Sequence, residues 1–249
     1  MKKYTLILLI KLSAFLMSQD INITSEIPSS VKVENIINNY IKKIGGEKKI
    51  NKLQTIKKEF EINMEGLQNM DMKGELLYKT PDLYSSVIEI EKIGQIQSTK
   101  YDGKNCVIKR KHNSNTVEHK LEGKLLEDKI DEFSPFPILQ YWKKNAVFTV
   151  TEIHKHKKET LYKVIIKKSE TSEICLFFDK KSHLIVKKIT LNGKTKQTTE
   201  YKNYREIEGV MFPFLEISKT EIDDSPAQKS INTITSIIIN EELPIERFQ

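Results

Sequence analysis

Histidines, carboxylates and cysteines are the residues here whose types and spacing could do chemistry. His154 and His156 stand two apart in the stretch EIHKHKKE. That spacing puts both imidazoles on one face of a β-strand, as a metal site could use. Their neighbours are polar almost throughout, which describes a strand end entering a turn and two exposed histidines. His112 and His119 flank a predicted hairpin turn, and His183 follows Lys180-Lys181-Ser182 in another. The paired carboxylates Glu127-Asp128 and Asp223-Asp224 sit in hydrophilic turns, whereas general acid–base work needs a carboxyl in a cleft with a displaced pKa. No nucleophile elbow, phosphate loop or Cys-x-x-Cys pair occurs. The expectation is a non-enzymatic protein with no cofactor and no metal. Cys106 and Cys175 fall in predicted strands with apolar neighbours; pairing and buried free thiols are both open.

What remains is the apolar pattern and the elements that carry it. Val33, Ile36, Ile37, Tyr40, Ile41 and Ile44 follow the i, i+3, i+4, i+7 spacing of an amphipathic helix, and Gly45-Gly46 stops it. A second short helix is expected over Glu47–Leu53. From Gln54 the period becomes two. Phe60, Ile62 and Met64 share a face, as do Met70, Met72, Leu76 and Tyr78, and then Tyr84, Ile88 and Ile90. Turn chemistry recurs at Glu65-Gly66, Thr80-Pro81-Asp82, Gly94, Asp102-Gly103 and Asn113-Ser114-Asn115, which is the signature of an antiparallel meander. Between Gly123 and Lys144 the period is lost, and short helical segments with the sole tryptophan, Trp142, are expected. Strands resume from Val147 to Asn240, with no Gly/Ser linker to divide them.

The chain has 249 residues, a net charge of +7, 30% charged and 38% hydrophobic residues, which fits one globular domain. Lys2 and Lys3 precede an apolar run from Tyr4 to Met17, interrupted at Lys11 and followed by Ser18. This reads as a secretory signal over 1–18, too short to span a bilayer. Its removal leaves 38 basic and 34 acidic residues, a charge of +4. A disordered leader over 19–32 and a single β domain over 33–249 complete the expected organisation. Lysines alternate with apolar residues and glutamates in IKKEFEI, YKVIIKK and IVKKITL, the pattern of a solvated sheet face rather than a phosphate-tracking stripe, so nucleic acid is not an expected partner.

The fold class expected is mainly β: a half-open, strongly curved antiparallel barrel of about eleven strands. The N-terminal helix and the mid-chain helical insertion cover its concave face. Such a sheet curls towards closure, and the helix has an apolar stripe to bury there. A large curled sheet with one thin helix rarely fills its interior. Phe60, Met64, Met70, Met72, Leu76, Tyr78, Tyr84 and Ile88 are therefore the candidate wall of an apolar cavity, methionine being adaptable to irregular ligands. Ile37, Tyr40, Ile41 and Ile44 are the candidate lid face. The competing expectation is an envelope interaction module whose core is simply filled.

The stretches GELLYKTPDLY and KYDGKNCVI resemble the outer-membrane lipoprotein-sorting proteins, the LolA/LolB-like periplasmic carriers, through Gly74, Leu76, Tyr78, Pro81, Tyr84, Asp102, Gly103 and Lys104. VENIINNYIKKIGGEKKINKLQTIK and TEYKNYREIEGVMFPFLEI are similar to a divergent, sorting-protein-like branch of that group. The resemblance implies an incomplete barrel with a helical lid over a cavity for lipoprotein acyl chains or other lipid. It implies a carrier in the periplasm that meets envelope membrane proteins; neither cysteine lies near the expected cleavage site to carry a lipid, so the mature protein is expected to be soluble, and a monomer is expected. Each methylene taken out of water contributes about 0.8 kcal/mol, so such a carrier needs a dry interior that can also let go. In the family an arginine before the proline latches the lid through backbone carbonyls. Here that latch position is Thr80, with one hydroxyl in place of a five-donor fork. Val107 also stands where the family often has a tryptophan.

Overall fold

The computed structural model describes residues 23–25, 32–66, 70–113, 115–144, 148–154, 160–223, 225 and 227–249. In chain order the elements begin with strand β1 (Ile23–Ser25), helices α1 (Val33–Lys43) and α2 (Glu47–Ile50), and strands β2 (Thr55–Met64), β3 (Met72–Lys79), β4 (Leu83–Ile90), β5 (Gly94–Tyr101), β6 (Cys106–His112) and β7 (Asn115–Leu121). Helix α3 (Gly123–Ile130), a 3-10 turn (Asp131–Phe133) and helix α4 (Pro137–Lys143) follow. Strands β8 (Phe148–His154), β9 (Thr160–Lys167), β10 (Ser172–Asp179), β11 (Ile185–Asn192), β12 (Thr195–Ile207), β13 (Val210–Ile222) and β14 (Gln228–Ile239) end in a 3-10 turn over Ile245–Phe248.

All strands join one antiparallel sheet in the order β1-β8-β9-β10-β11-β12-β13-β14-β2-β3-β4-β5-β6-β7. The β14–β2 pairing brings the two halves of the chain together, from Ser230 opposite Met64 to Ile239 opposite Ile56. The outermost strands, β1 and β7, are not paired to each other, and the α3–α4 segment connects β7 to β8, the strand beside β1. The helical insertion thus sits where the sheet opens. Among the described residues, thirteen strands of seven residues or more are present besides three-residue β1, rather than about eleven. The excess arises because strands such as β7 (NTVEHKL) expose both faces and show almost no apolar alternation.

Helix α1 forms where expected, with Glu34 in its first turn and Lys42 and Lys43 in its last, the signs that complement the helix dipole. It ends in a Schellman arrangement: Gly46 N donates to the Ile41 carbonyl at 2.8 Å and Gly45 N to the Lys42 carbonyl at 3.4 Å. Ile36, Ile37, Tyr40, Ile41 and Ile44 are buried in the main core with Ile56, Val164, Ile166, Phe178 and Phe212. Full burial of each such side chain contributes about 1.5–3 kcal/mol, which holds the helix on the sheet. Helix α2 is shorter than expected, Glu47–Ile50, and continues only as hydrogen-bonded turns, Lys52 N to the Lys49 carbonyl and Leu53 N to the Ile50 carbonyl, each at 3.1 Å, before β2.

Across β14 and β2–β7, Ile239, Ile56, Tyr78, Tyr84, Tyr101, Cys106 and Leu121 lie in one cross-strand row. Phe133 docks on this row, its ring 4.6 Å from that of Tyr84 and 5.4 Å from that of Tyr101. On the opposite face Leu77 is buried against Leu243 and Phe248 of the C-terminal segment, and Lys79 Nζ donates to the Leu243 carbonyl at 2.7 Å. Cys106 and Cys175 are free and buried, in separate apolar clusters. The expected signal segment, 1–18, lies outside the described residues; of the leader expected over 19–32, Ile23–Ser25 pairs with β8.

Candidate functional site

Among the described residues, two of the hollows adjoin each other beneath the helices. The outer one, about 560 Å³, is bounded by Ile41, Ile50 and Leu53 from the N-terminal helices, by the Thr80–Leu83 turn, and by Leu139 and Trp142 of α4. The inner one, about 200 Å³, lies against the sheet and is walled by Tyr40, Lys58, Tyr141, Lys188, Tyr201 and Glu216, among others. Tyr78 and the Ser134–Pro135–Phe136 stretch border both hollows. That stretch connects the 3-10 turn to α4, so the same insertion that plugs the sheet opening also divides the space under it.

Of the residues expected to form a cavity wall, Phe60, Met64, Met72, Leu76, Tyr78, Tyr84 and Ile88 do share the inner face by register. They do not all meet the hollows. Tyr78 borders both. Tyr84 is stacked beneath Phe133. Phe60 packs over Gly74, where a Cβ would come within 2.3 Å of its ring, and against the main core. Met72 is buried at 6% exposure, while Met64, Leu76 and Ile88 are half-buried. Met70 precedes β3 and is 40% exposed. Among the lid residues, Ile37 and Ile44 are wholly buried, Tyr40 faces the inner hollow and Ile41 the outer. Thr80 is on the outer rim. Its hydroxyl donates to the carbonyl of Gln54 at 3.2 Å and lies 3.3 Å from the Gln54 side-chain oxygen, so it ties the turn to the start of β2 rather than to a helix.

The charged groups of the inner hollow were not expected from the sequence, where IKKEFEI and IVKKITL read as a solvated face. In a strand, neighbouring residues point to opposite faces, so one lysine of each adjacent pair must point inward. Lys57 points out, 2.8 Å from Glu59, and Lys58 points in, 5.5 Å from the centre of the Phe212 ring. Lys187 lies over Phe177, 5.4 Å from its ring centre, and Lys188 faces the inner hollow. The doubled lysines were the signal.

Burial pushes the Lys58 pKa below the usual lysine value, opposed by Glu216. Lys188 is raised instead: Tyr201 leads, against burial, with help from Glu132 and Glu216. Burial raises Tyr40, Tyr78, Tyr201 and Tyr204, and brings Tyr84 up to about 12. Glu132 is held low against burial by Lys129, 2.8 Å away, then by Lys188 and Lys168. Tyr204 satisfies its hydroxyl on the Ile185 carbonyl at 2.7 Å. The Tyr141 hydroxyl has no hydrogen-bond partner among the described residues, and Tyr141 is only 4% exposed.

The residues considered for catalysis do not gather here. His112 and His119 are exposed, and His183 is half-buried in the turn before β11. The side chain of His154, and His156 and Asp224 altogether, lie outside the described residues. Glu127 and Asp128 sit on α3 rather than in a turn. Among the described residues, no group of three His, Cys, Asp or Glu side chains could hold a metal ion. No helix among them is long and apolar enough to cross a membrane.

The sequence matches no protein-family model and no curated protein. Solved structures, by contrast, align over most of the chain. A LolA superfamily protein from Nitrosomonas europaea is 14% identical with a TM-score of 0.55, covering 88% of this chain and 98% of its own. An outer membrane lipoprotein-sorting protein domain from Vibrio parahaemolyticus is 10% identical with a TM-score of 0.56, covering 86% and 94%. A DUF1329 family protein from Desulfovibrio piger is 10% identical with a TM-score of 0.53, covering 87% and 97%. This chain therefore has a LolA-like fold: a curved, open antiparallel sheet with a few helices on its inner side. The identities are low enough that the likeness speaks for the fold alone.

Proposed function

We propose that the protein is a non-enzymatic carrier of the envelope periplasm that holds an acyl chain, of a lipoprotein or another lipid, beneath its helices. The observation that carries this reading is the outer hollow. At about 560 Å³ it falls within the ~300–1,000 Å³ typical of pockets that enclose a ligand. Ile41, Ile50, Leu53, Leu139 and Trp142 give it apolar surface, while its rim carries Glu47, Lys79, Asp82 and Lys143. Apolar walls beside a charged rim suit a chain that enters from water and leaves again; the buried polar side chains of Thr55 and Asp131 also border the space. The structural likeness to a lipoprotein-sorting domain supports the same reading.

The latch differs from that implied by the family resemblance. Thr80 spends its donor on Gln54, so lid closure rests on the packing of α1 and on Phe133 rather than on an arginine fork. Such a lid releases its ligand when packing loosens.

The test is binding of an apolar fluorescent probe to the purified, lipid-stripped protein, followed by displacement with a fatty acid. Saturable binding at one site with competitive displacement is the expected result. Absence of probe binding to the folded protein would reject the carrier and leave the interaction module with a filled core. A companion variant, Leu139→Trp, occupies the outer hollow and should weaken probe binding while the protein still folds cooperatively.

A further inference from the structure

We infer that the inner hollow receives the oxyanion head of a single-chain amphiphile, with Lys58 as its charged anchor and the Tyr141 hydroxyl as a hydrogen-bond donor. The inference rests on the carrier reading for the chain itself and adds the chemical class of the ligand.

Size comes first. The inner hollow is about 200 Å³, below the ~300 Å³ at which pockets begin to enclose whole ligands. It suits one end of a molecule. The outer hollow shares Tyr78 and the Ser134–Phe136 stretch as a border, so a ligand passing that border would place its chain outside and its head inside.

Hydrogen bonding comes next. A buried hydroxyl without a partner is destabilising, and nearly all such groups in proteins are satisfied. Tyr141 is 4% exposed, faces the inner hollow and has no partner for its hydroxyl among the described residues. A phenol donates well to an oxyanion. Tyr204, on the same hollow, differs in having already given its proton to the Ile185 carbonyl.

Charge decides the sign of the head. Glu132 is compensated by Lys129 at 2.8 Å, with Lys168 contributing. Lys188 is engaged by Tyr201, Glu132 and Glu216. Lys58 makes no hydrogen bond or ion pair among the described residues; its neighbours are the Phe212 ring at 5.5 Å and the field of Glu216. Burial outweighs that field and lowers its pKa, as for an ammonium with no carboxylate in contact. An oxyanion entering the hollow supplies that charge in a low-dielectric setting, where a charge-assisted hydrogen bond is stronger than in water.

The experiment compares dodecanoate, methyl dodecanoate and acetate by calorimetric titration at pH 8 on the full protein after lipid stripping. Dodecanoate should bind about tenfold or more tightly than its methyl ester, the value of one hydrogen bond to a charged group. In Lys58→Met that preference should disappear while the ester binds as before, and Tyr141→Phe should reduce it by a smaller factor. Acetate should neither bind nor compete at millimolar concentration. Equal binding of acid and ester to the wild type would overturn the head site and leave the carrier standing. Binding of neither would overturn the carrier, and the head site with it. Competition by acetate as strong as by dodecanoate would show a site for free anions instead. A preference that survives in Lys58→Met would refute Lys58 as the anchor; unfolding curves on both variants confirm that each is folded.

Discussion

Gly45 and Gly209 touch: a Cβ on Gly45 would lie 2.6 Å from the Gly209 carbonyl oxygen, and Gly45 holds φ at +129°. One residue earlier the Ile44 carbonyl accepts a hydrogen bond from Met211 N at 3.0 Å. The end of α1 is therefore fastened to the β12–β13 turn by backbone, and only glycine permits both the dihedral and the approach. The end of α1 is thus held by backbone and the rest of the helix by side-chain packing.

Gly45→Ala should therefore destabilise the protein by about 1–3 kcal/mol, since the obstacle is backbone rather than a movable side chain. Urea unfolding checks this. An unchanged midpoint would mean that the helix does not rest on that turn.

Ile37 and Ile41 share the helix face, but Ile37 is wholly buried in the core while Ile41 borders the outer hollow. Ile37→Ala should cost about 2–5 kcal/mol, as for other buried large-to-small changes. Ile41→Ala should cost less, because space already exists beside it. Denaturation midpoints that rank the two variants the other way would place the hollow elsewhere.

Lys58 sets a pH dependence with a definite sign. Its pKa in the folded protein lies below the ordinary 10.5, so between those two values the unfolded chain binds more protons and stability rises with pH. At neutral pH the half-buried ammonium is a net cost. Lys58→Met should melt at a higher temperature than wild type near pH 7, and the gap should close as pH approaches 10.5. Tyrosine ionisation affects the two proteins alike, so the difference isolates the lysine. A variant less stable than wild type at pH 7 would show that Lys58 has a counter-charge after all.

Much of the fold was legible because the apolar pattern repeats with the right period. The stripe from Val33 to Ile44 specified α1, Gly45-Gly46 specified its end, and the Thr80-Pro81-Asp82 break separated β3 from β4. Strands such as β7 left little trace, since a strand exposed on both faces has no reason to alternate. The site was less legible. Methionines clustered in sequence around Met70, yet the hollows formed near the helices, where the insertion holds Ser134–Phe136 over the sheet. Local pattern tells which face a side chain occupies; it does not tell how far along a fourteen-strand sheet the lid will sit. Lys58 and Lys188 were concealed by composition, because lysine beside glutamate reads as surface even when strand geometry turns it inward.

Trp142 is the only tryptophan in the chain, it is half-buried, and it borders the outer hollow. That position makes it a contact reporter for the central claim, that an acyl chain occupies this space. The decisive measurement is quenching of Trp142 fluorescence by fatty acids brominated at successive positions along the chain. Saturable quenching that is strongest for bromine towards the chain's methyl end, and weak for bromine near the carboxylate, is the predicted result. Quenching that rises linearly with added lipid, without saturation and without dependence on bromine position, would contradict an acyl chain held beneath the helices.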